Sequence, residues 1–379
     1  MMRMKFIIIA ILAVCLTSEK SFAQDLHYSY YHFTPLSVNP ANSGAFSGSY
    51  RVGGIYTSKD GAISDRSFKN FSLTADAPII RGLRKQDWIG VGVQADILNV
   101  LNGAGNLSPE TVQNSDNKFA QNWTFFKVSL AYHLALDKKQ SNILTLGAQM
   151  NNGSRQYAGF NLSDTRNGII NRQDLDLENF KQLASSSSSG LQNDGTKFRS
   201  RDLGVGLLFN ARRKKSDLRL GVAVEGILKP RTGLLSNSAS GSQGGVSKDS
   251  IETKPIGLNI HGDYRIDISP RTSIEPSFYF YNLGPFNALN VNSHVWYQFN
   301  PEQEFRGGAG LGVRNVRDVI VYLGARVNSI QVGISYDLNV NDRTLASNGL
   351  GGFEIAARYV GVIYKKPKVK PIIFCPRMS

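Results

Sequence analysis

The sequence predicts a single-domain, all-β protein: a transmembrane antiparallel β-barrel of about 14 strands that follows a cleaved signal peptide. Three observations predict it. An export signal at the N-terminus is followed by no apolar run long enough for a membrane helix. Stretches of roughly ten residues, the length a tilted strand needs to cross a bilayer, alternate apolar and polar side chains. Long and short connections between these stretches take turns, as they do in outer-membrane barrels.

The chain has 379 residues, 41% of them hydrophobic, with Gly 37, Tyr 15, Phe 20 and only 19% charged residues. This balance excludes an intrinsically disordered chain and a long helical protein. The formal net charge of +14 favours acidic partners. Arg3 and Lys5 precede the apolar run Phe6 to Leu16, and Ser21-Phe22-Ala23 follows it. That pattern is a secretory signal with cleavage expected between Ala23 and Gln24. The run is too short for a membrane anchor, and Val14 before Cys15 is too bulky for a lipid-modification site. Export excludes nucleic acid as a partner. After cleavage Cys375 stands alone, so no internal disulfide staples the fold. A membrane protein of this kind must be a closed barrel, because only closure pairs every strand's backbone.

The predicted strands begin with 48–58 and 66–78. In 87–98, Ile89, Val91, Val93, Ala95 and Ile97 share one face, with Gly90, Gly92, Gln94 and Asp96 on the other. In 122–136, Phe126, Val128, Leu130 and Tyr132 alternate with Lys127, Ser129, Ala131 and His133. Strands 142–152 and 201–212 follow. In 217–228, Leu218, Leu220, Val222 and Val224 oppose Arg219, Gly221, Ala223 and Glu225; in 254–266, Ile256, Leu258 and Ile260 alternate with Asn259, His261, Asp263 and Arg265. The remaining spans are 272–281, 287–300, 304–314, 318–327, 330–340 and 351–360.

Connections 59–65, 99–121, 153–200 and 229–253 form one set, three of them long, and 79–86, 137–141, 213–216 and 267–271 form the other, none above eight residues; later gaps are short apart from the one around 341–350. Short turns belong to the periplasmic side of an outer-membrane barrel. Both termini are then expected in the periplasm, and the organisation is 1–23 signal peptide, 24–47 N-terminal periplasmic or plug segment, 48–364 barrel and 365–379 basic tail. A soluble β-sandwich also alternates, but it buries its apolar face and keeps its loops more uniform. Tyr50, Tyr56, Trp88, Trp123, Phe125, Tyr297 and Tyr364 fall near strand ends, as an interfacial aromatic girdle requires. Basic residues gather in the short turns, notably Arg212 to Lys215 and Arg81 to Lys85. They either hold the barrel against anionic headgroups or dock a periplasmic protein.

Catalytic motifs are missing: there is no G-x-S-x-G elbow, no H-E-x-x-H and no Walker A loop. Gly90-Val91-Gly92 mimics a dinucleotide fingerprint, but its glycines share one face of a strand and open no helix. His27 and His32 lack neighbouring metal ligands, and His133 and His261 fall on polar, lumen-lining faces. Ser129 and His133 share a strand face about 13 Å apart, too far for a nucleophile and its base. The sequence therefore implies no enzyme, cofactor or metal.

The start of the mature chain reads Gln24-Asp25-Leu26-His27-Tyr28-Ser29-Tyr30-Tyr31, then Pro35-Leu36, Asn39-Pro40-Ala41 and Gly44; near the end come Gly352-Phe353-Glu354-Ile355 and Cys375-Pro376-Arg377. This set resembles the PorP/SprF family of outer-membrane proteins of the Bacteroidetes type IX secretion and gliding motility systems. Leu26 stands where the family usually has Pro, and Tyr30 where it often has Gln. The resemblance implies a non-enzymatic barrel in the outer membrane of a Gram-negative, Bacteroidetes-like bacterium. It would sit in outer-membrane lipid and help a large secreted cargo or adhesin, or a machine component, reach or stay on the cell surface. The motif residues Gln24, Asp25, Ser29, Pro35, Asn39, Pro40, Ala41, Gly44, Glu354, Cys375, Pro376 and Arg377 would be structural or partner contacts. Tyr28 to Phe33 either plugs the lumen or pairs with a partner, and Asn39-Pro40-Ala41 also reads as a turn into the first strand. The alternative function is a passive channel for small solutes.

Overall fold

The computed structural model describes residues 28–59, 66–82, 86–102, 120–158, 197–235, 251–284, 286–300, 304–315, 318–340 and 350–363. The signal peptide with Ala23, together with Gln24, Asp25, the tail 365–379 and its Cys375, Pro376 and Arg377, lies outside them. The strands are β1 (Tyr50–Lys59), β2 (Arg66–Arg81), β3 (Trp88–Asn102), β4 (Ala120–Ala135), β5 (Asn142–Ala158), β6 (Lys197–Arg212), β7 (Ser216–Glu225), β8 (Arg231–Leu235), β9 (Ile251–Thr253), β10 (Gly257–Asp267), β11 (Thr272–Leu283), β12 (Phe286–Asn300), β13 (Phe305–Arg314), β14 (Asp318–Val327), β15 (Ile330–Asn339) and β16 (Leu350–Gly361).

Fourteen of them close one antiparallel barrel in sequence order, with β1 paired to β16 from Tyr50↔Gly361 to Lys59↔Gly352. Closure leaves no open edge. β8 and β9 form a separate hairpin, and β7 pairs directly with β10 from Glu225↔Gly257. The sequence reading missed that hairpin, because five- and three-residue strands are too short to show a period. β2 to β6 are also longer than the alternation suggested, at 15 to 17 residues. The excess on β3, β4, β5 and β6 lies at the long-connection end. There Gly153-Ser154-Arg155-Gln156 carries no apolar side chain, so the alternation ends while the pairing with β4 continues to Ala158.

Side-chain parity divides the barrel cleanly. Leu130 (55% exposed), Leu146 (61%), Leu311 (64%) and Leu323 (59%) point outward. Gln94, Asp96, His133, His261 and Glu354 are buried on the inner face. An apolar exterior around a polar interior rules out the sandwich, which buries its apolar residues. The short connections, the start of β1 and the end of β16 share one end of the barrel.

A charge on the lipid face tests the assignment. Leu146→Arg should lower stability in phospholipid vesicles by about 2–4 kcal/mol, and Leu136→Arg, beside a short turn, by at most about 1 kcal/mol. Urea-titrated refolding into vesicles reads the difference, and equal effects would contradict the outward face of β5.

Candidate functional site

Residues 28–47 do not stay outside the barrel: they run through its lumen. Tyr28, Ser29, Tyr30, Tyr31, Phe33, Leu36, Asn39 and Ala41 are all buried. The segment holds a 3-10 turn (Tyr31–Phe33), a single helical turn (Pro35–Val38) and a second 3-10 turn (Pro40–Asn42). Each proline sits at a first helical position, where its fixed φ and missing N–H cost nothing. Asn39 is extended, as the residue before proline must be, and its side chain caps the turn by accepting from the Ala41 N–H at 2.9 Å.

So little regular structure leaves many buried backbone groups to be paired by the wall. Glu354 takes two at once: its Oε1 accepts the Ser29 N–H and its Oε2 the Tyr30 N–H, each at 2.8 Å. Ser29 Oγ donates to Asp337 Oδ2 at 2.9 Å, and the Ser29 carbonyl accepts from Tyr322 Oη at 3.0 Å. Lys59 Nζ lies 3.2 Å from Glu354 Oε1 and 3.6 Å from Asp337 Oδ2, and Arg314 pairs with Asp337 and donates to Ser29 Oγ. Two carboxylates and two cations thus close a compensated network around one serine.

The other end of the segment is anchored by Asp76, whose Oδ2 accepts the Gly44 N–H at 2.7 Å. Arg51 forks onto both Asp76 oxygens at 2.8 Å and donates to the Asn42 carbonyl at 3.0 Å. Trp88 Nε1 donates to the Gly44 carbonyl at 3.1 Å, and His133 Nε2 lies 2.8 Å from the Ser43 carbonyl. In the middle, Asn39 Nδ2 donates to the Leu207 and Val222 carbonyls of the wall. Gly206 makes that approach possible, since a Cβ there would overlap Asn39 Oδ1; one at Gly147 would overlap the Ala41 amide. The small residues expected on the lumen face are therefore the sockets for this segment.

Aromatic packing fills the rest. Tyr30 stacks on His294 at 5.4 Å and meets Phe33 and Tyr322 edge-on at 4.7 and 5.1 Å. Tyr31 stacks on His32 and packs against Tyr279. The segment touches β1 through Arg51, β2 through Asp76, β3 through Trp88, β4 through His133, β5 through Gln149 and β6 and β7 through their carbonyls. It touches β10 through Asp263, β11 through Tyr279, β12 through Asn290, β13 through Arg314, β14 through Tyr322, β15 through Asp337 and β16 through Glu354. Every strand of the barrel contributes a contact.

The structure brings Ser29 and Glu354, from motifs at opposite ends of the sequence, into direct hydrogen bond. Pro35, Asn39, Pro40, Ala41 and Gly44 follow along the same lumenal path. Sequence reasoning missed Asp76, Asp337, Arg314, Arg51 and Lys59 as partners of the segment. Their signal was charge at inward parity on separate strands. Trp88 and Phe125 do not join an outer girdle. Trp88 shares parity with Gly90 and Gly92, turns inward and stacks on His133 at 4.5 Å, and Phe125 is buried; Tyr50 and Tyr297 point outward. Ser129 and His133 both hold Ser43, the former at 2.6 Å. Among the described residues no group of three His, Cys, Asp or Glu is placed to hold a metal ion.

Tyr28 and Ser29 lie in the long-connection half of the lumen. Glu354 is near the start of β16, Asp337 near the end of β15, and Arg314 ends β13. The shared side expected for the two termini therefore applies to the ends of the barrel, while the lumenal segment begins in the opposite half. At the short-turn end the lumen opens into a vestibule of about 800 Å³, floored by His32, Phe46 and Arg51.

The family model for the type IX secretion system membrane protein PorP/SprF matches residues 20–359. The chain belongs to the PorP/SprF family. No curated protein matches the sequence. Among solved structures, this PorP/SprF protein is similar to the deltaS2S3 mutant of the monoaromatic hydrocarbon channel TodX, with 10% identity, TM-score 0.50 and coverage of 86% of this chain and 94% of that one. It is also similar to the toluene transporter TbuX of Ralstonia pickettii, with 8% identity, TM-score 0.49 and coverage of 88% and 94%. At such identity the likeness describes the barrel fold alone.

Two substitutions probe the lumenal segment. Glu354→Gln removes the nearer of the two carboxylates that face Lys59 and weakens both amide bonds, so the unfolding midpoint should fall by the equivalent of about 3 kcal/mol. Gly206→Ala drives a methyl into Asn39 and should make residues 28–47 cleavable by protease in the folded barrel. Gly204→Ala, where a Cβ finds its nearest neighbour at 3.3 Å, should leave the segment protected.

Proposed function

We propose that this PorP/SprF protein is a non-enzymatic outer-membrane adaptor of the type IX secretion system. It would bind an exported cargo or adhesin, or a component of the machine, and so support secretion or surface attachment, including attachment of motility adhesins. The observation that carries this reading is the lumenal segment. A barrel whose interior is occupied by its own chain, tied to all fourteen strands, serves better as a rigid platform than as a pore. Polar inner residues that might have served chemistry, Ser129 and His133 among them, are engaged in holding that segment, which supports a role without catalysis or cofactors. By the loop-length rule of outer-membrane barrels, the short turns face the periplasm and the long connections the outside.

The runner-up is a passive channel for small solutes, since the TodX protein of similar fold is a monoaromatic hydrocarbon channel. It requires residues 28–47 to leave the lumen. Planar-bilayer recording of the purified protein separates the two. The adaptor reading expects silence, and steady single-channel steps would favour the channel. In the native organism, gene deletion should abolish surface display of at least one type IX substrate, and normal display of every substrate would overturn the adaptor reading.

A further inference from the structure

The vestibule at the short-turn end carries an imbalance of charge. Asp263 is shared between His32 at 2.9 Å and Arg219 at 3.5 Å, and Glu275 is held by Arg326 at 2.9 Å with Arg265 at 4.0 Å. Asp87 accepts from Tyr132 Oη and the Ala135 amide. Three further lining cations have no carboxylate partner among the described residues. Arg81 ends β2 and donates only to the Gly48 carbonyl, Lys139 sits in the β4–β5 turn, and Arg358 lies deeper on β16. Arg358 donates to the His32 carbonyl at 3.2 Å and to Gln331 Oε1, and lies 5.5 Å from the Phe33 ring centroid. Both of its hydrogen-bond acceptors are neutral, inside a barrel where an unpaired charge is expensive.

We propose that this vestibule binds an acidic peptide segment of a partner that approaches from the short-turn side. The proposal rests on the adaptor reading and names the chemistry of one docking site. A single small anion cannot serve rim cations on β2 and the β4–β5 turn together with a floor cation on β16. A chain of carboxylates can, and a cavity of about 800 Å³ lies in the range of pockets that enclose a ligand. The vestibule is inside the barrel mouth, so bilayer headgroups do not reach its floor. Arg213, Lys214 and Lys215, exposed in the β6–β7 turn, extend the positive field outward and would steer an acidic segment inward. Because its floor is the lumenal segment, an occupant would touch His32 and Arg358 directly.

The test uses the full-length purified protein in detergent and a fluorescein-labelled peptide of alternating Glu and Gly, read by anisotropy across a salt series. Wild type should bind, with affinity falling as salt rises, and neutral Gln-Gly peptide should not. Arg358→Gln and the rim pair Arg81→Gln with Lys139→Gln should each weaken binding about tenfold. The rim pair serves if Arg358→Gln fails to fold, since it leaves the lumenal contacts intact. Absence of binding by wild type, wild-type affinity in the rim pair, or full displacement by phosphatidylglycerol vesicles would overturn the proposal. Type IX display in the deletion strain is scored separately. Normal display in the deletion strain beside intact peptide binding by the purified protein would indict only the adaptor reading, and lost display without peptide binding would indict only the vestibule.

Discussion

A buried backbone amide must be paired, and in this protein one carboxylate pairs two of them. Glu354 accepts from the amides of Ser29 and Tyr30, and the surrounding lumen repeats that solution with other side chains. Arg51, Arg358, Gln149, Trp88 and His133 each serve a carbonyl, and Asp76 serves an amide. The usual arrangement of a soluble protein is inverted. Backbone normally satisfies backbone in the core while side chains supply apolar contact. Here a short irregular segment is solvated by the side chains of a surrounding sheet. The wall's polarity is therefore specified by the segment as much as by the need for an apolar exterior.

The charges in the lumen follow from the same constraint. Carboxylates are needed for buried amides, and each must be compensated because isolated charges are costly in the interior. Lys59 and Arg314 answer Glu354 and Asp337, and Arg51 answers Asp76. Among the described residues, the inward carboxylates of the long-connection half and Asp76 each face a cation, whereas Arg81, Lys139 and Arg358 in the vestibule have no carboxylate partner. The contrast between the two halves places structural charge in one and surplus charge in the other.

Most of the barrel could be read from the sequence because its two solvents differ so sharply. Lipid outside and polar lumen inside impose period two on every strand, so Val93 and Gln94 announce their faces without any structure. The same clarity fails elsewhere. The end of β5 carries no apolar side chain from Gly153 to Gln156 and so shows no period, and the hairpin β8–β9 lies outside the barrel sheet. The lumenal site was only half legible. Ser29, Asn39 and Glu354 stood out as motifs, and the aromatic segment Tyr28 to Phe33 read as either a lumen plug or a partner contact. Nothing in one dimension pairs Ser29 with a residue 325 positions away. Trp88 misled because its position near a strand end was weighed above its parity.

The contact of one short segment with fourteen strands bears on biogenesis. Residues 28–47 precede the barrel in the chain, yet they end up enclosed by it, and the clamp that holds their start sits on β16, the last strand to be made. Seating Ser29 on Glu354 therefore waits for the strand that also seals the barrel against β1.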